Sequence, residues 1–214
     1  MGYYKDLIQD IKTGIDVCAD KMGREIRNAH PIDKFLIAGT WKAVRLCDSI
    51  VLLCESGFSD ESFPALRSMI EISVNMRWIM NRDTDTRLAQ YLSDLDNTEF
   101  GSWWTNTNLQ LRMKEIGFHD DYYKFVTRFA YSFSHVNAKT LNWSVIQKNF
   151  SSITFSPEAI YAIIAQMLIG AMIALDVRYP GHFVMYKDYA KKIPITKTLG
   201  RKYNKFLQKN TRTK

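Results

Sequence analysis

The stretch RFAYSFSHVN places an arginine and a histidine seven positions apart, at Arg128 and His135. The imidazole of histidine exchanges a proton near neutral pH, and the guanidinium of arginine binds anionic oxygens through a planar array of donors. An α-helix turns about 100° per residue, so seven residues complete almost two turns and both side chains share one face. The pair could therefore move a proton beside a bound anion, or it could belong to an ordinary solvated face.

The helix predicted to carry this pair, from about Asp120 to Lys139, has an apolar stripe on its other side. The stripe comprises Tyr122, Phe125, Val126, Phe129, Phe133 and Val136. The polar face carries Asp121, Lys124, Arg128, Tyr131, His135 and Lys139. His135 is therefore predicted to lie outside the core, which leaves both a chemical site and a charged surface as interpretations.

An upstream helix, FPALRSMIEISVNMRWIMNR, is apolar on nearly all sides, as is typical of a buried helix. Within it Arg67, Glu71 and Asn75 recur every four residues and form a polar line, with Arg82 near the same line. Buried charge is costly unless it is paired, so we expect Glu71 within ion-pair distance of Arg67 or Arg128. Structural pairing and a functional role both explain this line.

With these residues in place, the chain resembles the HEPN superfamily of all-α bundles. RFAYSFSH fits the Arg-x(4–6)-His signature of HEPN domains at its longest spacing. The helix LRSMIEISVNMRWIM followed by YSFSHVN is similar to an uncharacterised bacterial HEPN-like family. The resemblance covers roughly residues 31–177. It departs from the pattern at Phe129, directly after Arg128, where many active HEPN nucleases carry a small polar residue.

The resemblance implies metal-independent cleavage of RNA, often by a homodimer whose two motifs face each other, with no cofactor. His135 would take the proton of a ribose 2′-hydroxyl, Arg128 would bind the phosphate, and Tyr131 would donate a hydrogen bond. The products would be a 2′,3′-cyclic phosphate and a 5′-hydroxyl. Supporting polar contacts would come from Arg67, Glu71, Asn75, Ser132 and Ser134.

We therefore expect a cytoplasmic endoribonuclease of a bacterial toxin or antiphage-defence system, with RNA as substrate and an antitoxin or other protein as a further partner. The alternative is a catalytically inactive HEPN-like bundle that binds a partner protein, a nucleotide or RNA, and Phe129 favours it. A third hypothesis is an RNA-binding accessory domain that uses a basic C-terminus.

Two other patterns carry weaker chemical signals. FHDD, with His119 and Asp120, has the His-Asp order of metal phosphohydrolases, but the other histidines have no ligand spacing to it. No metal site is predicted, and Asp120 is interpreted as a helix N-cap. SWWTNTN could stack its tryptophans on bases, although buried or interface tryptophans are more usual.

The elements that must position these residues are predicted to be helices. The chain has 214 residues, enough for one sizeable core, and only 10 Gly and 5 Pro, which disfavours a fold of many strands and tight turns. Periodicity and capping signals predict helices over residues 3–27, 32–55, 64–80, 83–96, 120–139 and 157–177. NWSVIQKNFSSITF is the least regular segment and fits a short strand, a turn or a long loop.

The fold class is thus an all-α bundle with a long central apolar helix, Ala159–Leu175, which we expect to be buried by protein and not by lipid. Residues 1–186 are predicted to form the single bundle domain. Residues 187–214 carry ten Lys or Arg and one Asp, and are predicted to be a basic tail that contributes charge, not core. Cys18, Cys47 and Cys54 are expected to be buried thiols in a reducing cytosol.

Overall fold

The computed structural model describes residues 2–22, 30–93, 109–118, 120, 122–123 and 157–193, and all regular secondary structure in them is helical. The helices with both ends defined are α1 Tyr3–Met22, α2 Pro31–Glu55, α3 Phe63–Asn81, α4 Thr84–Ser93, α5 Leu109–Glu115, α6 Pro157–Arg178 and α7 Tyr186–Lys191. The all-α class predicted from periodicity is confirmed.

Helix α6 is the centre of the bundle and packs against α1, α2 and α3. It is apolar on all sides, and nearly every side chain from Ile160 to Leu175 is buried. An 18-residue window of α6 has a mean hydropathy of 2.0, enough by length and composition to cross a membrane, yet 78% of it is buried inside the protein. The predicted central helix buried by protein is confirmed.

Local sequence signals define both ends of α2. His30 precedes the helix. Its ring Nδ1 accepts from the Ile32 backbone N–H at 3.4 Å, and the His30 backbone N–H donates to Asp33 Oδ2 at 3.0 Å. This reciprocal arrangement satisfies donors that a helix start leaves without partners. At the other end Gly57 adopts a φ of +84°, a left-handed conformation that glycine tolerates best.

Glycine also allows α3 to lie directly on α6. A Cβ at Gly170 would stand 2.5 Å from Ser73 Oγ and 3.1 Å from Arg77 Cδ. Ser73 Oγ in turn donates to the Met167 carbonyl at 2.8 Å. Any larger residue at position 170 would separate the two helices and weaken the packing between them.

Residues 109–115, for which the sequence predicts no element, form the short helix α5 against α3. Its isolated sequence is short and carries two basic residues, so periodicity gives little signal. Burial of Leu109, Arg112 and Met113 against α3 stabilises this helix instead.

The beginning of the predicted tail differs from expectation, because residues 187–193 pack on the bundle. Tyr189 Oη donates to the Asp10 carbonyl at 3.1 Å, and Tyr3 Oη donates to the Lys192 carbonyl at 2.9 Å. Ile193 joins the hydrophobic core. Counting charge along the chain does not reveal that these side chains face α1. Residues 194–214, the rest of the tail, lie outside the described residues.

All three cysteines are buried, as predicted: Cys18, Cys47 and Cys54. Burial raises the pKa of the Cys47 thiol to about 12, so this thiol stays protonated and unreactive at neutral pH. The position of Cys47 in the core therefore fits a role in packing.

Candidate functional site

The polar line predicted on α3 contains a formed ion pair. Arg67 Nε donates to Glu71 Oε1 at 3.1 Å, one helical turn apart. The predicted ion pair between Glu71 and a basic partner is therefore confirmed. The two side chains remain 26% and 36% exposed, so the pair lies at the edge of α3 where a solute can reach it.

Helix α5 adds a second arginine to this line. The buried Arg112 donates from Nη1 to Asn75 Oδ1. The amide oxygen of Asn75 accepts this hydrogen bond. The amide nitrogen of Asn75 carries two further donors, and no acceptor for them lies among the described residues. We call Arg67, Glu71, Asn75 and Arg112 the α3 polar strip.

The α3 polar strip holds two guanidinium groups and one carboxylate, so its charge is positive. Guanidinium and amide donors together match the oxygens of a phosphate group, and charge-assisted hydrogen bonds are the stronger kind. The strip could therefore hold an anionic substrate against α3.

Arg82 does not join the strip, although its sequence position lies near the same line. It follows α3 in an extended conformation, and its Nη2 lies 3.4 Å from Glu115 Oε1. Glu115 Oε2 also accepts from Trp78 Nε1 at 2.7 Å and from Arg87 Nη2 at 2.9 Å. This cluster connects the end of α5 to α3 and α4, and thereby holds Arg112 beside Asn75.

Both carboxylate oxygens of Glu115 have a cationic partner in this cluster. Burial raises the pKa of Glu115, but the hydrogen bonds from Trp78 and Arg87 outweigh it and leave that pKa below its usual range. The Arg87 guanidinium also stacks 3.6 Å from the centroid of the Trp78 ring. Glu115 is therefore an ionised structural anchor at neutral pH.

Five predicted site residues lie outside the described residues: Arg128, Tyr131, Ser132, Ser134 and His135. Of their predicted helix, Asp120, Tyr122 and Tyr123 are described, and all three are helical. Tyr122, which the periodicity places on the apolar stripe, is fully buried, and its ring stacks on Phe118 at 5.1 Å. This described beginning agrees with the predicted apolar stripe.

One polar cluster escaped the sequence analysis, at the junction of α2 and α6. Asp33 Oδ1 accepts from Arg178 Nε at 2.6 Å and from Tyr179 Oη at 2.7 Å, and Oδ2 accepts from Arg178 Nη2 at 3.2 Å. The hydrogen bond from Arg178 outweighs burial and lowers the pKa of Asp33. An acid in the first turn of α2 was visible in the sequence, but its partner was not.

A protein-family model described as a family of unknown function, DUF5677, matches residues 33–102. The matched segment includes most of α2 and all of α3 and α4, with Arg67, Glu71 and Asn75. It ends before Arg112, Arg128 and His135. No curated protein and no solved structure matches the chain.

Proposed function

We propose that the protein is a metal-independent endoribonuclease in which Arg128 and His135 cleave RNA beside the α3 polar strip. His135 removes the proton of a ribose 2′-hydroxyl, and the resulting oxygen attacks the adjacent phosphorus. The bond from phosphorus to the 5′-oxygen breaks, and the leaving oxygen takes a proton from water, which yields a 2′,3′-cyclic phosphate and a 5′-hydroxyl. Arg128 binds the phosphate as charge develops on it, and Tyr131 donates a hydrogen bond.

The α3 polar strip is the observation that carries this proposal. Helix α3, whose remaining surface is largely buried, presents Arg67 and the amide donors of Asn75, and α5 adds the buried Arg112 beside them. The Arg67–Glu71 pair alone has a structural explanation, but it does not account for a buried arginine from a second helix. Phosphate oxygens could accept from the amide nitrogen of Asn75, and their negative charge suits the neighbouring guanidinium groups.

The decisive experiment is a labelled-RNA cleavage assay in EDTA with the variant His135→Ala. We expect its cleavage rate to fall by at least about a hundredfold, because a general base contributes that much, while its melting temperature stays close to wild type. His119→Ala is the matched control, since it removes the other histidine of this region and should leave cleavage unchanged. Wild-type cleavage by folded His135→Ala protein would eliminate the mechanism.

The alternative function is a catalytically inactive bundle that binds RNA, a nucleotide or a partner protein, and Phe129 after Arg128 favours it. It predicts that neither wild type nor any variant cleaves RNA. If the basic C-terminus contributes to RNA binding, deletion of residues 194–214 should weaken binding and flatten its salt dependence. The deletion starts at 194 because residues 187–193 pack on the bundle.

We further propose that the enzyme acts as a cytoplasmic homodimer in a bacterial toxin or antiphage-defence system, with an antitoxin or other protein as partner. Two facing Arg-His motifs would place two phosphate-binding arginines around one RNA strand. Light scattering on purified protein tests the dimer directly. A monomer that cleaves RNA at full rate would remove the dimer from the proposal.

A further inference from the structure

A pocket of about 280 Å³ lies between the end of α3, the end of α5 and α6, and no residue of the α3 polar strip lines it. Its wall is mainly aliphatic and includes Met80, Ile116, Ile173, Ala174 and Val177. Arg77 contributes the cationic group. Small-molecule sites usually combine an apolar wall with a few placed polar groups, and this volume is near the lower end of their range.

Arg77 has more donors than the described residues use. Its Nη2 donates to the Ile116 carbonyl at 2.9 Å, and its guanidinium lies over the Phe118 ring. A guanidinium has five N–H donors, and the carbonyl takes one of them. Among the described residues no carboxylate lies within ion-pair distance of Arg77, and burial lowers its pKa.

The stem of Arg77 is held in place by close packing. A Cβ at Gly170 would stand 3.1 Å from Arg77 Cδ. Because residue 170 of α6 is a glycine, the arginine side chain fills the space there. The stem of Arg77 therefore packs against α6, and the guanidinium lies over the Phe118 ring. A cation held in one orientation loses little conformational freedom when it binds a ligand.

Glu115 also lines the pocket, but its carboxylate serves other cations. Arg82 and Arg87 contact its two oxygens, and Trp78 donates to one of them. The positive charge of Arg77 is therefore not compensated by the one acidic residue of the pocket wall. Partly buried charge without an opposite partner is unfavourable, and an anion in the pocket would relieve it.

We infer that this pocket binds a small organic anion, whose carboxylate or phosphate pairs with Arg77 while its apolar body packs on the aliphatic wall. The planar donor array of arginine suits either group. An inorganic ion would leave the aliphatic wall unused, and a neutral molecule would leave the guanidinium without a partner. The inference does not depend on RNA cleavage, because Arg77 is not in the proposed catalytic site.

Calorimetric titration of the full chain tests this inference with four probes: benzoate, phenyl phosphate, acetate and benzyl alcohol. Benzoate or phenyl phosphate should bind at least about tenfold more tightly than acetate and benzyl alcohol. Acetate lacks the apolar ring and benzyl alcohol lacks the charged group, so each forfeits one of the two contributions to affinity. The better of the two aromatic anions identifies the head group as carboxylate or phosphate. The inference would be overturned if neither benzoate nor phenyl phosphate bound more tightly than benzyl alcohol.

Two variants show whether the probe occupies this pocket. Arg77→Met keeps the length of the side chain and removes the charge, and should weaken binding of the preferred anion at least about tenfold. Val177→Trp covers the mouth from a half-exposed position and should weaken binding without unfolding the protein. Arg82→Met is the control, because it removes an arginine at the same helix end that does not line the pocket. Equal loss in Arg82→Met and Arg77→Met, or wild-type binding by Val177→Trp, would contradict the assignment.

Discussion

The junction of α2 and α6 and the pocket at the end of α3 use arginine in opposite ways. At the junction, Arg178 and Tyr179 share the carboxylate of Asp33. At the pocket, Arg77 has a carbonyl and an aromatic ring as its partners among the described residues, and no carboxylate. An arginine matched by an acid holds helices together, whereas one with donors left over has capacity for a ligand.

Removal of Asp33 should have the largest effect on stability. Asp33→Ala leaves the Arg178 guanidinium and the Tyr179 hydroxyl without their acceptor, and we expect a loss of about 2–4 kcal/mol in the free energy of unfolding. Urea denaturation measures this change. Asp48→Ala, which breaks the exposed pair with Lys12, should cost less than about 1 kcal/mol. Similar losses in both variants would show that the junction is no stronger than a surface ion pair.

The α2–α6 junction and the Glu115 cluster both make stability depend on acidic pH. The pKa values of Asp33 and Glu115 are lowered in the folded protein, so both groups contribute stability that is fully present above their unfolded values, about 4. That contribution is lost as the pH falls through the lower folded values. Unfolding free energy should therefore decrease below about pH 4. Asp33→Asn should show a shallower decrease than wild type, and an identical slope would exclude Asp33 as a source.

A comparison of two partly or fully buried arginines on α3 and α4 sharpens the contrast. Arg87→Met removes a partner of Glu115 and a donor to the Trp78 carbonyl, and should cost about 1–3 kcal/mol. Arg77→Met leaves no described carboxylate unpaired, and should change stability by less than about 1 kcal/mol in either direction. Thermal and urea unfolding compare the two. A larger loss in Arg77→Met would mean that Arg77 is a structural residue.

The smallest stability change is expected at the α3 polar strip. Glu71→Gln removes half of a partly exposed pair, so the loss should be about 0.5 kcal/mol or less. RNA cleavage should nevertheless fall, because Arg67 loses the carboxylate that orients it. Glu61→Gln removes an exposed acid just before α3 and serves as the charge-matched control. Equal cleavage by the two variants would separate the strip from the proposed active site.

Sequence reasoning reached the Arg67–Glu71 pair because its partners are four residues apart on one helix. It did not reach Arg112, whose partner Asn75 is 37 residues away and which lies in a segment with no predicted helix. Arg82 shows the converse error, because the helical line was extended past the residue where α3 ends. Local spacing is reliable only while the local conformation persists.

The sequence by itself determined the helical class, the ends of α2 and the burial of α6, since caps, glycines and apolar periodicity act within a few residues. The tertiary structure alone decided that Asp33 meets Arg178, 145 residues away, and that Arg77 meets no described carboxylate. The physical reason is that charge pairing depends on which surfaces the folded core brings together. Many pairings satisfy the same composition, and packing selects one of them.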